Sequence, residues 1–242
     1  MSENIFPLIR AKNLSKIYDG NFTETSALGG VSFDVEAGEF LAIMGPSGSG
    51  KSTLLHILGF LDKPTSGDYY FEGKKMEEFN DEELAGIRNK KMGFVFQSFN
   101  LLRRTALLEN VKLPLKYAGI AEKEQDAMAR RALAAVNLPE ETFSHEPSQL
   151  SGGEQQRAAI ARAIVNNPSI IFADEPTGNL DSKSGEIVMQ TLQKLNNEGN
   201  TVILITHETF TAEYAQRIIR LLDGQIESDN RVSNRRFNGF IK

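Results

Sequence analysis

Gly45-Pro46-Ser47-Gly48-Ser49-Gly50-Lys51-Ser52-Thr53 fits the pattern G-x-x-x-x-G-K-S/T at every fixed position. Its flanks supply the strand–loop–helix setting that the pattern requires: residues 39–44 (EFLAIM) read as a buried strand and residues 52–61 as an apolar helix start. The glycines let the backbone curl so that successive N–H groups converge, and the following helix adds its own unbonded N–H groups and positive dipole end. Phosphate groups fit such a concavity. Lys51 is expected to reach β- and γ-phosphates, and the Ser52 hydroxyl to complete a Mg²⁺ shell made otherwise of phosphate oxygens and water. The alternative is a glycine-rich turn with no ligand, and the lysine, the serine and both flanks argue against it.

Upstream, residues 9–18 read as a strand ending at the turn Asp19-Gly20. Val31, Phe33 and Val35 alternate with Ser32, Asp34 and Glu36, the period-two mark of a half-buried strand. A small antiparallel sheet is therefore expected ahead of the glycine loop. Tyr18 is either a purine-stacking aromatic or an ordinary strand-end tyrosine. Downstream, residues 68–71 suggest another short strand, Asn80 with Glu83 a capping box opening a helix over 81–89, and residues 92–96 (MGFVF) a buried strand ended by Gln97.

From residue 98 to 166 the character turns helical. Thr105 is expected to cap a helix that Pro114 ends, and residues 122–136 carry Met128, Ala132 and Val136 on one face. Within this lobe, Leu150-Ser151-Gly152-Gly153-Glu154-Gln155-Gln156-Arg157 stands out. Ser151 and Glu154 make a capping box, while Gly152 and Gly153 leave the first N–H groups of the helix open. Glycine costs about 1 kcal/mol per helical position, so a plain core helix would gain from alanine there. The segment is either a capped surface helix or a second phosphate-binding helix end. The second reading raises a difficulty, because the glycine loop already surrounds one side of its ligand.

Residues 170–175 (IIFADE) read as a buried strand ending in two carboxylates, the place where an open α/β sheet binds ligands. Asp174 suits Mg²⁺ ligation, directly or through water, and Glu175 the polarisation of an attacking water. Asn179-Leu180-Asp181 leads into a helix with Val188, Leu192 and Leu195 on one face, stopped near Gly199. Residues 201–206 (TVILIT) are a second buried strand, and His207 at its end matches the position of the acidic pair, which favours a γ-phosphate contact over a structural role. Residues 217–226 read as a hairpin, and the arginine-containing tail from Glu227 as a solvated extension.

Composition narrows the rest. Net charge of −5 argues against a bulk nucleic-acid binder, and the absence of cysteine excludes disulfides and thiolate metal sites. No apolar run approaches the length of a membrane span, and the N-terminus lacks a signal-peptide core, so any membrane work needs a second chain. One α/β domain over 1–242 is expected. Its nucleotide-binding core with the antiparallel β part occupies 1–97 and 167–228, a helical lobe is inserted at 98–166, and an extension follows at 229–242.

Over nearly its whole length the chain resembles an ATP-binding-cassette (ABC) ATPase subunit, on the strength of LSGGEQQR at 150–157 between Gln97 and the ADE strand end. That resemblance implies a P-loop NTPase of ABC type: a RecA-like core sheet, an N-terminal antiparallel β subdomain and an inserted α-helical subdomain. It implies ATP and Mg²⁺ as cofactors. Tyr18 is then similar to the adenine-stacking aromatic and Gln97 to the glutamine that senses Mg²⁺ and nucleotide. Asp174 corresponds to the metal-site aspartate, Glu175 to the catalytic glutamate, Asp181 to the aspartate of the loop after it, and His207 to the switch histidine. It also removes the geometric difficulty, since in this family two subunits sandwich two ATPs and Ser151, Gly152 and Gly153 of one close over the γ-phosphate held by the other.

GPSGSGKSTLLHILGFLDKPTSG, GFVFQSFNLL, ENVKLPL and DEPTGNLDS are similar to the LolD, MacB and FtsE group. The implied partner is an integral-membrane permease like MacB, LolC or FtsX, which would hold the ATPase at the inner, cytoplasmic face of the cell membrane for export, lipoprotein extraction or mechanotransmission. Phe96, Phe99, Leu101, Leu102 and Leu107 are either the groove for that permease or core of the lobe. A soluble ABC ATPase acting on nucleic acid or ribosomes is the competing function; it usually carries a coiled coil or two cassettes, and this chain has neither.

Overall fold

The computed structural model describes residues 6–19 and 24–237. The alternation of residues 31–35 is the end of a longer strand, because β1 (Ile9–Asp19) and β2 (Glu24–Val35) pair antiparallel from Ile9 against Val35 to Asp19 against Glu24. Three register irregularities along this ribbon disrupt the period-two pattern, so residues 24–30 carried no strand signal. After β3 (Phe40–Met44) and α1 (Lys51–Leu58), the strand β4 (Ser66–Phe71) pairs antiparallel with β1, and the short β5 (Lys74–Lys75) completes a four-stranded sheet of order β2-β1-β4-β5.

The second sheet is built from runs too apolar to face water. Every residue of β3 is buried, as is every residue of β8 (Thr201–Thr206); β7 (Ile170–Asp174) is buried up to Asp174. Parallel strands of this kind need cover on both faces. The six-stranded order is β10-β9-β3-β8-β7-β6, with β6 (Met92–Phe96), β7, β8, β3 and β9 (Arg217–Leu222) parallel and β10 (Gln225–Arg231) antiparallel to β9. Alternation along β3 divides the interior. Phe40, Ala42 and Met44 enter one core with the helices, while Leu41 and Ile43 enter another with α1 and the antiparallel sheet.

Helix α2 (Asp81–Lys91) carries the expected Asn80–Glu83 capping box and runs directly into β6. Between β6 and β7 the chain is helical. Helix α3 (Leu107–Tyr117) departs from expectation at both ends: Ala106 is its N-cap with no side-chain bond, so Thr105 does not cap it, and Pro114 lies inside it. Proline fixes φ near the helical value, so it tolerates the interior where packing outweighs its missing N–H. Leu107, Val111 and Leu115 are fully buried and supply that packing. Helix α4 (Glu122–Ala135) places Ala132 and the following Val136 in the core with Met128 against it, and α5 (Gly152–Ile164) crosses behind β6.

Helix α6 (Ser182–Asn197) buries Val188, Leu192 and Leu195. A single turn, α7 (Thr209–Ala212), lies on the connection from β8 to β9. The tail differs from expectation. β10 continues to Arg231, and Arg235 and Arg236 fold back onto the body through hydrogen bonds to Tyr214, Asn196 and Glu213, so a solvated extension from Glu227 is not what residues 227–236 form.

Candidate functional site

The glycine loop turns from β3 into α1 at Gly50, where φ is +96° and a Cβ would stand 2.3 Å from the Ala27 carbonyl oxygen. Only glycine fits there. Lys51 heads the helix and is buried, its Nζ donating to the carbonyls of Gly45 at 2.8 Å and Pro46 at 2.7 Å. Burial lowers its pKa, with Glu175 and then Asp174 pulling the other way. An ammonium held by neutral carbonyls beside two carboxylates is set for an anion.

These residues line a cleft of ≈ 580 Å³ whose wall includes Pro46, Ser47, Gly48, Gly50, Lys51, Ser52 and Thr53 together with Asp174, Glu175 and His207. Three segments far apart in sequence therefore converge because the parallel strands β3, β7 and β8 all end at the same edge of the sheet. Asp174 closes β7; burial and then Glu175 push its carboxyl pKa up, while His56 and Lys51 draw it down. Glu175 turns off the strand at φ 45°, in the left-handed region, its N–H bonded to the Ile205 carbonyl at 2.9 Å. That conformation is uncommon for a glutamate, and the neighbouring strand end holds it. His207 Nδ1 lies 2.6 Å from Glu175 Oε1, so histidine and glutamate form one pair across the cleft.

A hydroxyl and a desolvated carboxylate are hard oxygen donors, and this set suits Mg²⁺ at Ser52 and Asp174. Among the described residues no group of ≥ 3 His, Cys, Asp or Glu side chains forms a metal cage.

The other expected site residues lie elsewhere. Gln97 is turned toward residues 178–179: its Nε2 donates to Asn179 Oδ1 at 3.4 Å, and Asn179 Nδ2 donates back to the Gln97 carbonyl at 3.1 Å. Tyr18 is 40% exposed, with its hydroxyl bonded to Asp62 at 2.9 Å and Lys16 Nζ at 4.9 Å from its ring centroid. Asp181 caps α6, accepting from the Ser184 N–H at 3.0 Å and its hydroxyl at 2.6 Å. Ser151 caps α5 in the expected box: Glu154 Oε2 accepts from the Ser151 N–H at 2.9 Å and its hydroxyl at 2.7 Å. Gly153 also has a packing reason, since a Cβ there would meet Ser184 Cβ at 2.9 Å. None of Ser151, Gly152 and Gly153 lines the cleft. Leu107 is buried in the lobe core, whereas Leu102 is 48% exposed, so the apolar group around Gln97 is divided between core and surface.

The sequence reading missed Thr25, Ser26 and Ala27, which with Ile205 complete the wall of the cleft. Their only signal was the pairing of Thr25 with Tyr18 across the β1–β2 ribbon, a contact that local patterning does not reveal.

Comparison with known proteins agrees with this geometry. Residues 28–178 match the family model of the ABC transporter. An uncharacterized ABC transporter ATP-binding protein of Thermotoga maritima is 51% identical over 216 residues, covering 89% of this chain and 92% of that protein. The macrolide export ATP-binding/permease protein MacB of Bdellovibrio bacteriovorus is 50% identical over 93% of this chain, which spans only 34% of that protein. Among solved structures, the ATP-binding cassette MJ0796, in a dimeric post-hydrolysis state bound to ADP and Pi, superposes with a TM-score of 0.85 at 46% identity, covering 96% of this chain and all of that one. An uncharacterized ABC transporter ATP-binding protein MJ0796 of Methanocaldococcus jannaschii is 50% identical over 229 residues, 93% of this chain and 97% of that protein. The converging phosphate loop, acidic strand end and histidine are those of an ATP-hydrolysing cassette, and the chain belongs to the ABC transporter family.

Proposed function

We propose that this ATPase works as one half of a head-to-tail homodimer that sandwiches two MgATP and drives a separate membrane permease. The observation that carries this reading is the incompleteness of the cleft. Lys51, Ser52, Asp174, Glu175 and His207 line it, while the Ser151–Gly153 helix end lies outside it, with Ser151 exposed and Gly152 half-buried. The dimeric state of the cassette MJ0796, in one structure bound to ADP and Pi, supports a nucleotide-binding dimer.

In this scheme the backbone of Gly45 to Gly50 and the Lys51 ammonium bind the phosphates, and Tyr18 stacks the adenine on the ring face opposite Lys16. Ser52 and Asp174 of the cleft would hold Mg²⁺, with Gln97, turned toward Asn179 in this structure, as the third proposed ligand, and the ion would supply neutralisation of phosphate charge. Glu175 orients and polarises the attacking water, and His207, fixed through Nδ1 by Glu175, faces the γ-phosphate. Ser151, Gly152 and Gly153 of the second copy close over that phosphate with Asp181 beside them. ATP thus joins two half-sites, and its hydrolysis removes the group both hold, so association is linked to nucleotide state.

Among the described residues no helix is long and apolar enough to cross a membrane. The permease supplies the span and holds the ATPase at the cytoplasmic face; the ATP-binding/permease architecture named for MacB supports a partner of that type. The half-exposed Phe96 and exposed Leu102 beside Gln97 are the surface offered to it.

Glu175→Gln tests the sandwich. It keeps the shape of the side chain and removes the base, so turnover falls by about 100-fold or more while ATP binding persists. Light scattering in saturating ATP then reports a dimer. A variant that stays monomeric under those conditions overturns the proposal.

A further inference from the structure

The arginine-containing tail, which carries no motif, closes on the segment that follows His207. Arg236 donates from Nε and Nη2 to Glu213 Oε2 at 3.0 and 2.7 Å, and its backbone N–H donates to the Glu213 carbonyl at 2.8 Å. Its guanidinium lies 4.7 Å from the ring centroid of Phe210 in α7. Arg235 donates to the Tyr214 carbonyl at 2.7 Å and reaches back to Asn196 Oδ1 of α6 at 3.1 Å. Gln193, also of α6, donates to the Arg236 carbonyl at 2.8 Å.

The placement of these bonds matters more than their number. Helix α6 starts at Ser182, capped by Asp181, and α7 starts two residues after His207, which lines the cleft. Arg235 and Arg236 join the far ends of both. The His207 side chain is 63% exposed and among the described residues is hydrogen-bonded to Glu175, so its position depends chiefly on the backbone that carries it. That backbone runs eleven residues from Thr206 to Gln216, crossing β3 between β8 and β9. Its far end is secured where Gln216 donates to the Phe40 carbonyl at 2.7 Å. Its middle, Phe210 to Tyr214, is what the tail grips.

A guanidinium that loses hydration without gaining a carboxylate is costly, and Arg235 is in that state: burial pushes its pKa down, and its hydrogen-bond acceptors are a backbone carbonyl and an amide oxygen. Aromatic faces at 5.4 Å (Phe40) and 5.8 Å (Phe237) offset part of that cost. The planar guanidinium presents its donors as a rigid fork, whereas a lysine ammonium is a point charge on a flexible stem.

We infer that Arg235 and Arg236 are positioning residues for hydrolysis: the C-terminal strap fastens α7 to α6 and thereby fixes His207 against Glu175. The inference rests on the reading of His207 as the γ-phosphate contact. A misplacement of about 1 Å at a reacting group costs up to about 100-fold in rate, so partial loosening is expected to cost about tenfold.

The test uses the full chain carrying Arg235→Ala with Arg236→Ala, and separately Glu213→Gln and Arg236→Lys. The chain has three histidines, so the ring signals of His207 are resolvable by NMR from those of His56 and His145. Expected results for the double variant are a kcat about tenfold lower with an unchanged KM for ATP, and His207 signals that shift or broaden while the other two histidines hold. Glu213→Gln reproduces the effect in milder form, and Arg236→Lys recovers part of it. Should the double variant fail to fold, Glu213→Gln carries the test with the same readouts. Wild-type kcat, or a lowered kcat with unmoved His207 signals, overturns the strap. Movement of the His207 signals in a chain whose turnover survives His207→Ala instead overturns the role given to His207 and leaves the strap standing.

Discussion

Asp174 shows how far a single carboxyl can depart from its ordinary behaviour when a sheet carries it into a cleft. Burial first, and Glu175 next to it second, raise its pKa. In the unfolded chain the group titrates normally. Between the normal and the raised value the folded protein therefore binds a proton that the unfolded chain lacks, so its contribution to stability is best at low pH and is lost as pH rises through the raised value. At neutral pH the ligand-free protein carries that penalty. Asp174→Asn removes it, so the melting temperature of the ligand-free variant exceeds wild type at about pH 7.5, and the gap closes toward about pH 4. Scanning fluorimetry at both pH values checks this; an equal or lower Tm at the higher pH defeats it. Lys51, Asp174, Glu175 and His207 were legible in the sequence because each ends or begins a strongly patterned element. Thr25 to Ala27 were not, because nothing local distinguishes a strand that is defined by its partner.

At the scale of elements, local chemistry was readable where it is self-contained. The boxes Asn80–Glu83 and Ser151–Glu154 form as their spacing requires, and β6 and β8 begin and end where their apolar runs do. Expectation failed where tertiary contacts override local preference. Pro114 was read as a helix end, yet α3 continues to Tyr117, and the Ala118 N–H still closes onto the Pro114 carbonyl at 2.9 Å. What Pro114 lacks is an N–H for the carbonyl of Asn110, one turn earlier. Pro114→Ala restores that donor and is expected to stabilise the protein by about 1 kcal/mol, a rise in Tm of about 2–4 °C for a chain of this size. Urea denaturation with an unchanged m-value checks it, and a destabilised variant shows that the proline ring itself packs productively. The tail failed for the same reason as Pro114: its arginines are polar in sequence, and only Glu213, Tyr214 and Asn196, far away in the chain, make them structural.

At the scale of the whole molecule, one arrangement separates the cleft from the Ser151–Gly153 helix end. Parallel β3, β7 and β8 bring the phosphate loop, the acidic pair and His207 to one sheet edge. The lobe between β6 and β7 carries Ser151 to Gly153 elsewhere, packed on α6 through Gly153 and Ser184. Within one chain, that helix end already has a full capping box and a close neighbour, so intrachain structure accounts for every contact it makes. A trans role must therefore be tested by something that spares the monomer. Ser151 is exposed, and arginine at that position adds bulk and charge on the outer face of the helix end without entering the α5–α6 contact. In the Glu175→Gln background, Ser151→Arg is expected to bind ATP as a monomer with unchanged affinity by calorimetry, since Lys51 and its loop are untouched. The same protein in saturating ATP is expected to remain monomeric by light scattering, because the added side chain occupies the space that the opposing γ-phosphate and loop require. Loss of the cap weakens α5 by about 1 kcal/mol, and Ser151→Ala measures that part separately, since it removes the cap but leaves the surface open. Dimerisation by Ser151→Ala but not by Ser151→Arg assigns this surface to the partner's site; dimerisation by both places the ATP-driven interface elsewhere on the molecule.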